Sequence, residues 1–146
     1  MKRKIIALFT FLFTVILSVC CLSSCGSGSA RATVVESRED LLVIRVEETD
    51  GKATLLDVMK ALREEGEISF ESDQSGFVLS IFGKSGESVS SNSGKYWSLY
   101  VSDERYALDG EYVWGEEVCY LASEGAGTMN VKNGHYYVWS YELMTW

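Results

Sequence analysis

Proline is absent from this chain of 146 residues, and histidine occurs once, as His135. Without proline, the chain has neither the cis-peptide turns nor the polyproline linkers that this residue provides. The glycines must therefore supply most of the backbone conformations that tight turns require. Three of the four cysteines lie within the first 25 residues, so the rest of the chain, with one cysteine and one histidine, lacks the four Cys and His ligands that a structural zinc site needs. We therefore expect no zinc centre.

The first 25 residues have the layout of a secretory signal. Residues 2–4 are all basic, and residues 5–22 follow without a charge. The ending Leu22-Ser23-Ser24-Cys25 resembles a bacterial lipobox, in which the cysteine is lipidated and becomes the first residue of the mature protein. We therefore predict a lipoprotein signal peptide at residues 1–24 and an extracytoplasmic protein anchored to a bacterial membrane through Cys25. A cleaved signal without lipid and an uncleaved anchor helix are the alternatives, since the uncharged stretch could span about 27 Å.

Cysteine usage argues against both a disulfide and a catalytic thiol. Cys20 and Cys21 leave with the signal peptide and Cys25 carries the lipid, so Cys119 remains as a lone thiol. Stability must then come from the hydrophobic core rather than from a crosslink. Cys119 and His135 would be the candidate nucleophile and base, but the neighbours of Cys119 are those of a strand interior. We therefore expect no catalytic residue and a non-enzymatic protein.

Negative charge dominates the part of the chain after the signal peptide. This part holds all 21 acidic residues but only 10 basic ones, so its formal net charge is −11. Such an excess keeps an extracellular domain soluble and disfavours nucleic acid, anionic lipid and acidic substrates as partners. Acidic residues at 103–104, 109–111 and 116–117 lack the spacing of a calcium loop. We therefore expect no metal site. A calcium-dependent module is kept only as a third hypothesis for the function of the protein, after the two given below.

One helix is indicated near the start of the folded part. Residues 25–40 are small, polar and charged, and we interpret them, with the lipidated cysteine, as a flexible tether. Thr54 and Asp57 have the spacing of a capping box. Apolar residues then recur at helical spacing until Gly66, which supplies a left-handed stop. These signals predict one amphipathic helix of about three turns.

Strands and turns are indicated for the rest of the chain. A serine-rich stretch at residues 84–94 has the composition of a long mobile loop. Strand-like runs, most with alternating polarity, occupy residues 42–46, 68–71, 77–82, 96–101, 117–121 and 135–143. In the third run we expect Phe77, Leu79 and Ile81 to share one face. Together these elements predict an α+β fold, in which one amphipathic helix packs on a mixed sheet of about five to seven strands.

Aromatic residues are concentrated near the end of the chain. Twelve fall in the last 51 residues: Tyr96, Trp97, Tyr100, Tyr106, Tyr112, Trp114, Tyr120, Tyr136, Tyr137, Trp139, Tyr141 and Trp146. In residues 136–141, rings occur on both faces of one predicted strand. A single helix can cover only one face of a sheet, so we expect exposed rings with hydroxyl or indole groups on the other face. Such a surface suits stacking on a flat ligand or contact with another protein.

Four segments occur in an order that resembles a known family. They are Gly51–Val58, Gly76–Gly83, Trp97–Val101, and Gly134 with Val138–Tyr141. Together they resemble the transcobalamin-like C-terminal domain, a domain of unknown function found in bacterial lipoproteins, which we assign to residues 41–146. The resemblance implies a β-grasp-like fold related to domains that bind soluble ligands. It also implies a small ligand, such as cobalamin or another corrinoid, bound at Phe82, Trp97, Tyr100 and Trp139.

These observations support two main hypotheses for function. The first is a membrane-anchored extracytoplasmic lipoprotein that acts as a non-enzymatic module for binding a small ligand. The alternative is a structural or adhesive domain of the cell surface that binds protein or glycan. The expected partners are the membrane, through the lipid anchor, and either a small soluble ligand or a surface protein. Nucleic acid is not an expected partner, and cobalamin is expected as a ligand rather than as a catalytic cofactor.

Overall fold

The computed structural model describes residues 28–146. Strands hold 55% of these residues and helices 11%. The strands are β1 (Ala30–Arg38), β2 (Leu41–Thr49), β3 (Phe70–Ser72), β4 (Val78–Ile81), β5 (Lys84–Ser85), β6 (Glu87–Ser90), β7 (Ser93–Val101), β8 (Ala107–Trp114), β9 (Glu117–Ala122) and β10 (Tyr136–Thr145). The helices are α1 (Leu55–Glu64) and a short 3₁₀ turn (Glu104–Tyr106).

Two antiparallel sheets make up the fold. The main sheet has the strand order β1-β2-β10-β7-β9-β8, and β6 pairs with the outer part of β7. The small sheet has the order β3-β4-β5. Every strand pair between residues 28 and 146 is antiparallel.

The predicted α+β, β-grasp-like fold with a mixed sheet is therefore wrong, because the protein is mainly β. A parallel pair needs a crossover connection of a dozen or more residues, which is usually a helix. In the described part of the chain, α1 connects β2 of the main sheet to β3 of the small sheet. The helix therefore joins two different sheets and creates no parallel pair within either of them.

The helix itself is as the sequence predicts. Thr54 Oγ1 accepts a hydrogen bond from the amide of Asp57 at 3.2 Å, and the Asp57 carboxylate accepts one from the Thr54 amide at 3.0 Å. The amides of Leu55 and Leu56 donate to carbonyls of the loop at residues 123–131, each at 2.9 Å. This loop therefore satisfies amides that a helix N-terminus otherwise leaves unpaired.

The helix ends just before Gly66, the residue that the sequence predicts as its stop. Gly66 has a φ of +80°, and its amide donates to the carbonyl of Arg63 at 3.1 Å. The amide of Glu67 donates to the carbonyl of Leu62 at 2.9 Å. This pair of bonds is the Schellman arrangement, in which a left-handed residue closes the last turn.

One face of the main sheet, the helix-side face, holds the larger core. The helix buries Leu55, Val58, Met59 and Leu62 against side chains of β2, β7 and β10, namely Leu42, Ile44, Val46, Leu99, Val101, Tyr137 and Trp139. Burying one such aliphatic side chain contributes about 1.5–3 kcal/mol. Ala126, Met129 and Val131 of the loop before β10 are buried in the same core.

The opposite face of the main sheet, the second face, is also partly buried. Leu41, Val43, Cys119 and Val138 form a small core there, with the rings of Tyr100, Tyr112, Trp114 and Tyr136 packed against it. Trp114 of β8 donates its Nε1–H to the carboxylate of Glu36 in β1 at 2.6 Å. These strands lie at the two ends of the sheet order, so the sheet curls until its ends meet across the second face. The expected open stacking surface is therefore largely closed by its own rings.

Two segments expected to be irregular form strands. The expected tether at residues 25–40 overlaps β1, which pairs with β2 from Ala30 to Arg38. The sheet therefore begins eleven residues before the predicted domain boundary at residue 41. The expected mobile loop at residues 84–94 contains β5 and β6, which pair with β4 and β7.

The predicted signal peptide and Cys25 lie outside the described residues. Among the residues described, no helix is long and apolar enough to cross a membrane.

Candidate ligand-binding groove

An aromatic groove lies between the small sheet and the helix-side face of the main sheet. It consists of two cavities, with volumes of about 270 Å³ and 420 Å³. Both cavities are lined by Phe77, Val78 and Trp97, so they adjoin at these three side chains. The smaller cavity is also lined by Trp139 and by the loop at residues 122–126. The larger one extends to Leu79 and Tyr96.

A polar cavity at the other end of the sheet is larger than either part of the groove. Its volume is about 470 Å³, and it is lined by Ser29, Ala30, Arg31, Glu48, Thr49 and Asp50. No aromatic or large aliphatic side chain contributes to its wall. Ligand pockets are mostly apolar with a few polar groups. The groove is therefore the better candidate for a ligand-binding site, although each of its two cavities is smaller than the polar one.

A tight turn holds Phe77 at the mouth of the groove. The Asp73 carboxylate accepts hydrogen bonds from the Ser75 hydroxyl at 2.6 Å and from the Phe77 amide at 2.9 Å. The Ser75 hydrogen bond, followed by that of Phe77, lowers the pKa of Asp73 below its ordinary 3.8. The Phe77 ring is 64% exposed. The turn therefore presents a large apolar ring to solvent instead of burying it.

Trp97 and Trp139 lie on the same face of neighbouring strands. In the β7–β10 pair, Trp97 is opposite Tyr141 and Trp139 is opposite Leu99, so the two tryptophans are diagonal neighbours. The Trp97 ring packs 5.3 Å from that of Tyr141, and its Nε1–H donates to the carbonyl of Lys84 at 2.8 Å. These contacts fix Trp97 in the wall that both cavities share.

Trp139 carries a hydrogen-bond donor without an acceptor. Its side chain is buried, with 6% exposure, and its Nε1–H has no partner among the described residues. A buried donor left unpaired costs about 1–3 kcal/mol. Trp139 lines the smaller cavity, but the nitrogen itself has almost no accessible surface, so an acceptor in the cavity would reach it only after a small rotation of the ring.

Further apolar side chains are exposed in the neighbourhood of the groove. Leu79 is 48% exposed, and Trp146 is 64% exposed and lies 6.0 Å from the ring of Tyr96. A Cβ at Gly86 or Gly94 would lie 2.5 Å from the Tyr96 ring. Glycine at these two positions therefore leaves the space that the Tyr96 ring occupies. Leu79 lines the larger cavity, whereas the Tyr96 side chain projects from the second face, because Tyr96 is opposite Glu142 in the β7–β10 pair and Glu142 is bonded by Tyr100 of that face.

The structure separates the four ligand-binding residues predicted from the sequence. Trp97 and Trp139 meet at the smaller cavity. Phe82 lies in the two-residue turn between β4 and β5 with a φ of +53°, and its ring packs against the helix-side core. Tyr100 lies on the second face, where its hydroxyl donates to Glu142 at 2.6 Å. Burial, and then this bond, raise the pKa of Tyr100 to about 12.

Phe77 and Tyr96 are the groove residues that the sequence pattern did not assign to the site. Phe77 and Leu79 were expected to share a buried face with Ile81, but the first two are exposed and Val78 and Ser80 are buried instead. The pattern Asp73-x-Ser75 followed by Gly76 is a signal for an Asx turn, and it would have placed Phe77 in a turn rather than in the strand.

The residues considered for catalysis lie away from the groove. Cys119 is buried in the core of the second face, where desolvation, and then the nearby Glu117, raise the pKa of its thiol to about 11. His135 Nδ1 lies 3.0 Å from the hydroxyl of Ser102. Between residues 28 and 146 no group of three or more His, Cys, Asp or Glu side chains could hold a metal ion.

Comparison with known proteins identified no relative of this chain. No protein-family model matches the chain, and neither the curated proteins nor the solved structures contain a match. The resemblance to the transcobalamin-like C-terminal domain therefore stays a prediction that rests on the four sequence segments.

Proposed function

We propose that this protein is a lipid-anchored extracytoplasmic lipoprotein of a bacterial membrane, and that it binds a small soluble ligand without acting as an enzyme. The observation that carries the binding proposal is the aromatic groove, in which two cavities adjoin at Phe77, Val78 and Trp97. Small-ligand sites typically occupy about 300–1,000 Å³ and have mostly apolar walls. The groove has this size and composition.

The ligand-binding proposal is tested by titration with two probes, one of them the corrinoid that the sequence resemblance implies. Cobalamin is added to the protein while tryptophan fluorescence is recorded, since Trp97 and Trp139 line the groove. Nile red, a neutral apolar dye, serves as a general probe of the groove through its own emission. We expect micromolar binding of at least one probe. No fluorescence change with either probe would contradict the proposal.

Two matched variants locate the binding. Phe77→Ser removes the ring shared by both cavities, whereas Val113→Ser changes an equally exposed residue of β8; the side chains are 64% and 65% exposed. Because neither residue is buried, both variants should fold. We expect weaker probe binding in Phe77→Ser and unchanged binding in Val113→Ser. Equal affinities in the two variants would place the ligand elsewhere.

The lipid anchor is tested separately from the groove. Cys25→Ser removes the thiol that would carry the lipid, and we expect the protein to move from the membrane fraction to the soluble fraction. One acyl chain holds a protein only marginally, whereas two or more hold it stably. Unchanged membrane retention of Cys25→Ser would contradict the lipoprotein assignment, whatever the outcome of the titrations.

A second candidate function is attachment to a surface protein or glycan. Exposure of Phe77 and Leu79 at the larger cavity, and of Trp146 outside both cavities, favours it, because large exposed apolar patches often mark contact sites for macromolecules. Binding of neither small probe, together with Phe77-dependent adhesion of whole cells, is the result that this alternative predicts.

A further inference from the structure

We propose that the aromatic groove selects an organic cation that also carries a hydrogen-bond acceptor, an inference that rests on the proposed ligand-binding function. The charges of the groove point to a cation. Glu71 lines the larger cavity and Glu124 the smaller one, and no basic side chain of the described residues lines either. The charged side chains that line the groove are therefore acidic, and they favour a cation over an anion.

The rings of the groove favour the same class of ligand. Phe77, Trp97 and Trp139 contribute to its walls, and the faces of such rings carry partial negative charge. A cation within about 6 Å of a ring centroid is attracted to it, and quaternary ammonium groups are bound in proteins in this way. Just behind Trp97, the ammonium of Lys84 already lies 4.8 Å from the centroid of the Tyr141 ring. Within the groove the rings have no such partner from the described residues.

The unpaired donor of Trp139 defines the second feature of the ligand. Its Nε1–H lacks an acceptor in a side chain that is 6% exposed. A small rotation of the ring would bring this nitrogen to a hydroxyl, ether or carbonyl oxygen of the ligand, while the cationic group lies against the neighbouring rings. A quaternary ammonium alcohol has both features, and choline is the simplest probe of this class.

The charge requirement is tested with two probes of the same shape. Choline and 3,3-dimethyl-1-butanol differ in that a carbon atom replaces the charged nitrogen. Titration calorimetry on the mature protein should give an affinity about tenfold higher for choline. Equal affinities, or tighter binding of the neutral alcohol, would overturn the inference but leave the groove as an apolar ligand site. Binding of neither probe would also overturn it, and the cobalamin and Nile red titrations would then decide the proposed function.

Matched charge variants test the role of the groove carboxylates. Glu124→Gln and Glu116→Gln each remove one negative charge from an exposed residue, but Glu116 lies in the turn between β8 and β9. Choline affinity should fall about threefold in Glu124→Gln and stay unchanged in Glu116→Gln. Equal losses would overturn a specific role for the groove, since the effect would then come from net charge.

A third variant tests the donor of Trp139. Trp139→Phe keeps an aromatic ring but removes the Nε1–H. The affinity for choline should fall by more than that for tetramethylammonium, which has no hydroxyl and loses only the difference between the two rings. Unchanged choline affinity would overturn the inference that the Trp139 Nε1–H donates to an acceptor of the ligand. A circular dichroism melt of the variant shows that it is folded under the titration conditions.

Discussion

Gly76 and Gly127 touch backbone to backbone at the wall of the groove. A Cβ on Gly76 would lie 2.9 Å from the Cα of Gly127, and one on Gly127 would lie 3.1 Å from the Cα of Gly76. Gly76 precedes Phe77 in its turn, and Gly127 follows directly on the loop that lines the smaller cavity. The contact therefore sets the distance between the two loops that bound the groove.

This contact predicts a large cost for a single added methyl group. Gly76→Ala should lower the free energy of unfolding by about 2–4 kcal/mol, because the new Cβ meets backbone and because Gly76 has a φ of +85°. Gly51→Ala is the matched control, since Gly51 has a φ of +78° and open space around it. It should cost about 1 kcal/mol. Urea unfolding measures both, and equal costs would show that the two loops can separate freely.

The cap of α1 predicts a smaller and separate effect. Thr54→Ala removes the hydroxyl that accepts from the Asp57 amide, so the free energy of unfolding should fall by about 1 kcal/mol. Thr145→Ala, at an exposed position near the end of β10, serves as the control. A urea midpoint that is equally shifted in both variants would contradict a specific capping role.

The turn around Asp73 predicts a loss of stability in acid. Because its hydrogen bonds lower the pKa of Asp73 in the folded protein, ionised Asp73 stabilises the fold above its ordinary pKa of 3.8. This contribution disappears as the pH falls through the lowered folded pKa. Asp73→Asn should thus be less stable than the parent protein at neutral pH, and the two should converge in acid. Urea midpoints followed from about pH 7 to about pH 3 measure the difference. A gap that is independent of pH would contradict the prediction.

The bond between Trp114 and Glu36 predicts coupling between the two ends of the main sheet. Trp114→Phe keeps most of the ring packing but removes the donor, and it should destabilise the fold by about 1–3 kcal/mol. Glu36→Gln weakens the same bond, so the double variant should lose less than the sum of the two single losses. Trp146→Phe, at an exposed tryptophan, is the control. Additive losses would mean that the curl of the sheet does not depend on this bond.

Local signals in the sequence were sufficient to predict the helix α1 and its two ends. Thr54, Asp57 and Gly66 act within a few residues of their own positions, so their roles follow from spacing alone. The long strands β2, β7 and β10 were also predictable, because each carries a run of alternating or continuous apolar residues. Trp97 and Trp139 were assigned to one site through the family resemblance, and they lie together because both face the helix side of neighbouring strands.

The structural features that could not be predicted from the sequence depend on contacts between residues that are distant along the chain. The β1 strand is an edge strand with half-buried side chains, so its composition resembles that of a linker. The serine-rich β6 is fully exposed, and pairing with β7 rather than its own composition makes it a strand. Burial of the second face depends on Trp114 reaching Glu36, 78 positions away in sequence. The groove likewise depends on the meeting of two loops, which no single segment encodes.

If Cys25 is acylated as proposed, the position of β1 sets how far the domain can lie from the membrane. Sheet pairing begins at Ala30, so the four residues 26–29 reach at most about 14 Å from the lipidated cysteine. Ala30 pairs with Thr49 at one end of the main sheet, whereas Ser93 and Thr145 pair near the other end. The Ala30 end of the sheet would thus be held close to the lipid headgroups, whereas Trp146 lies near the opposite end. Solutes arriving from the surroundings would then meet the exposed rings first, without having to pass the bilayer surface.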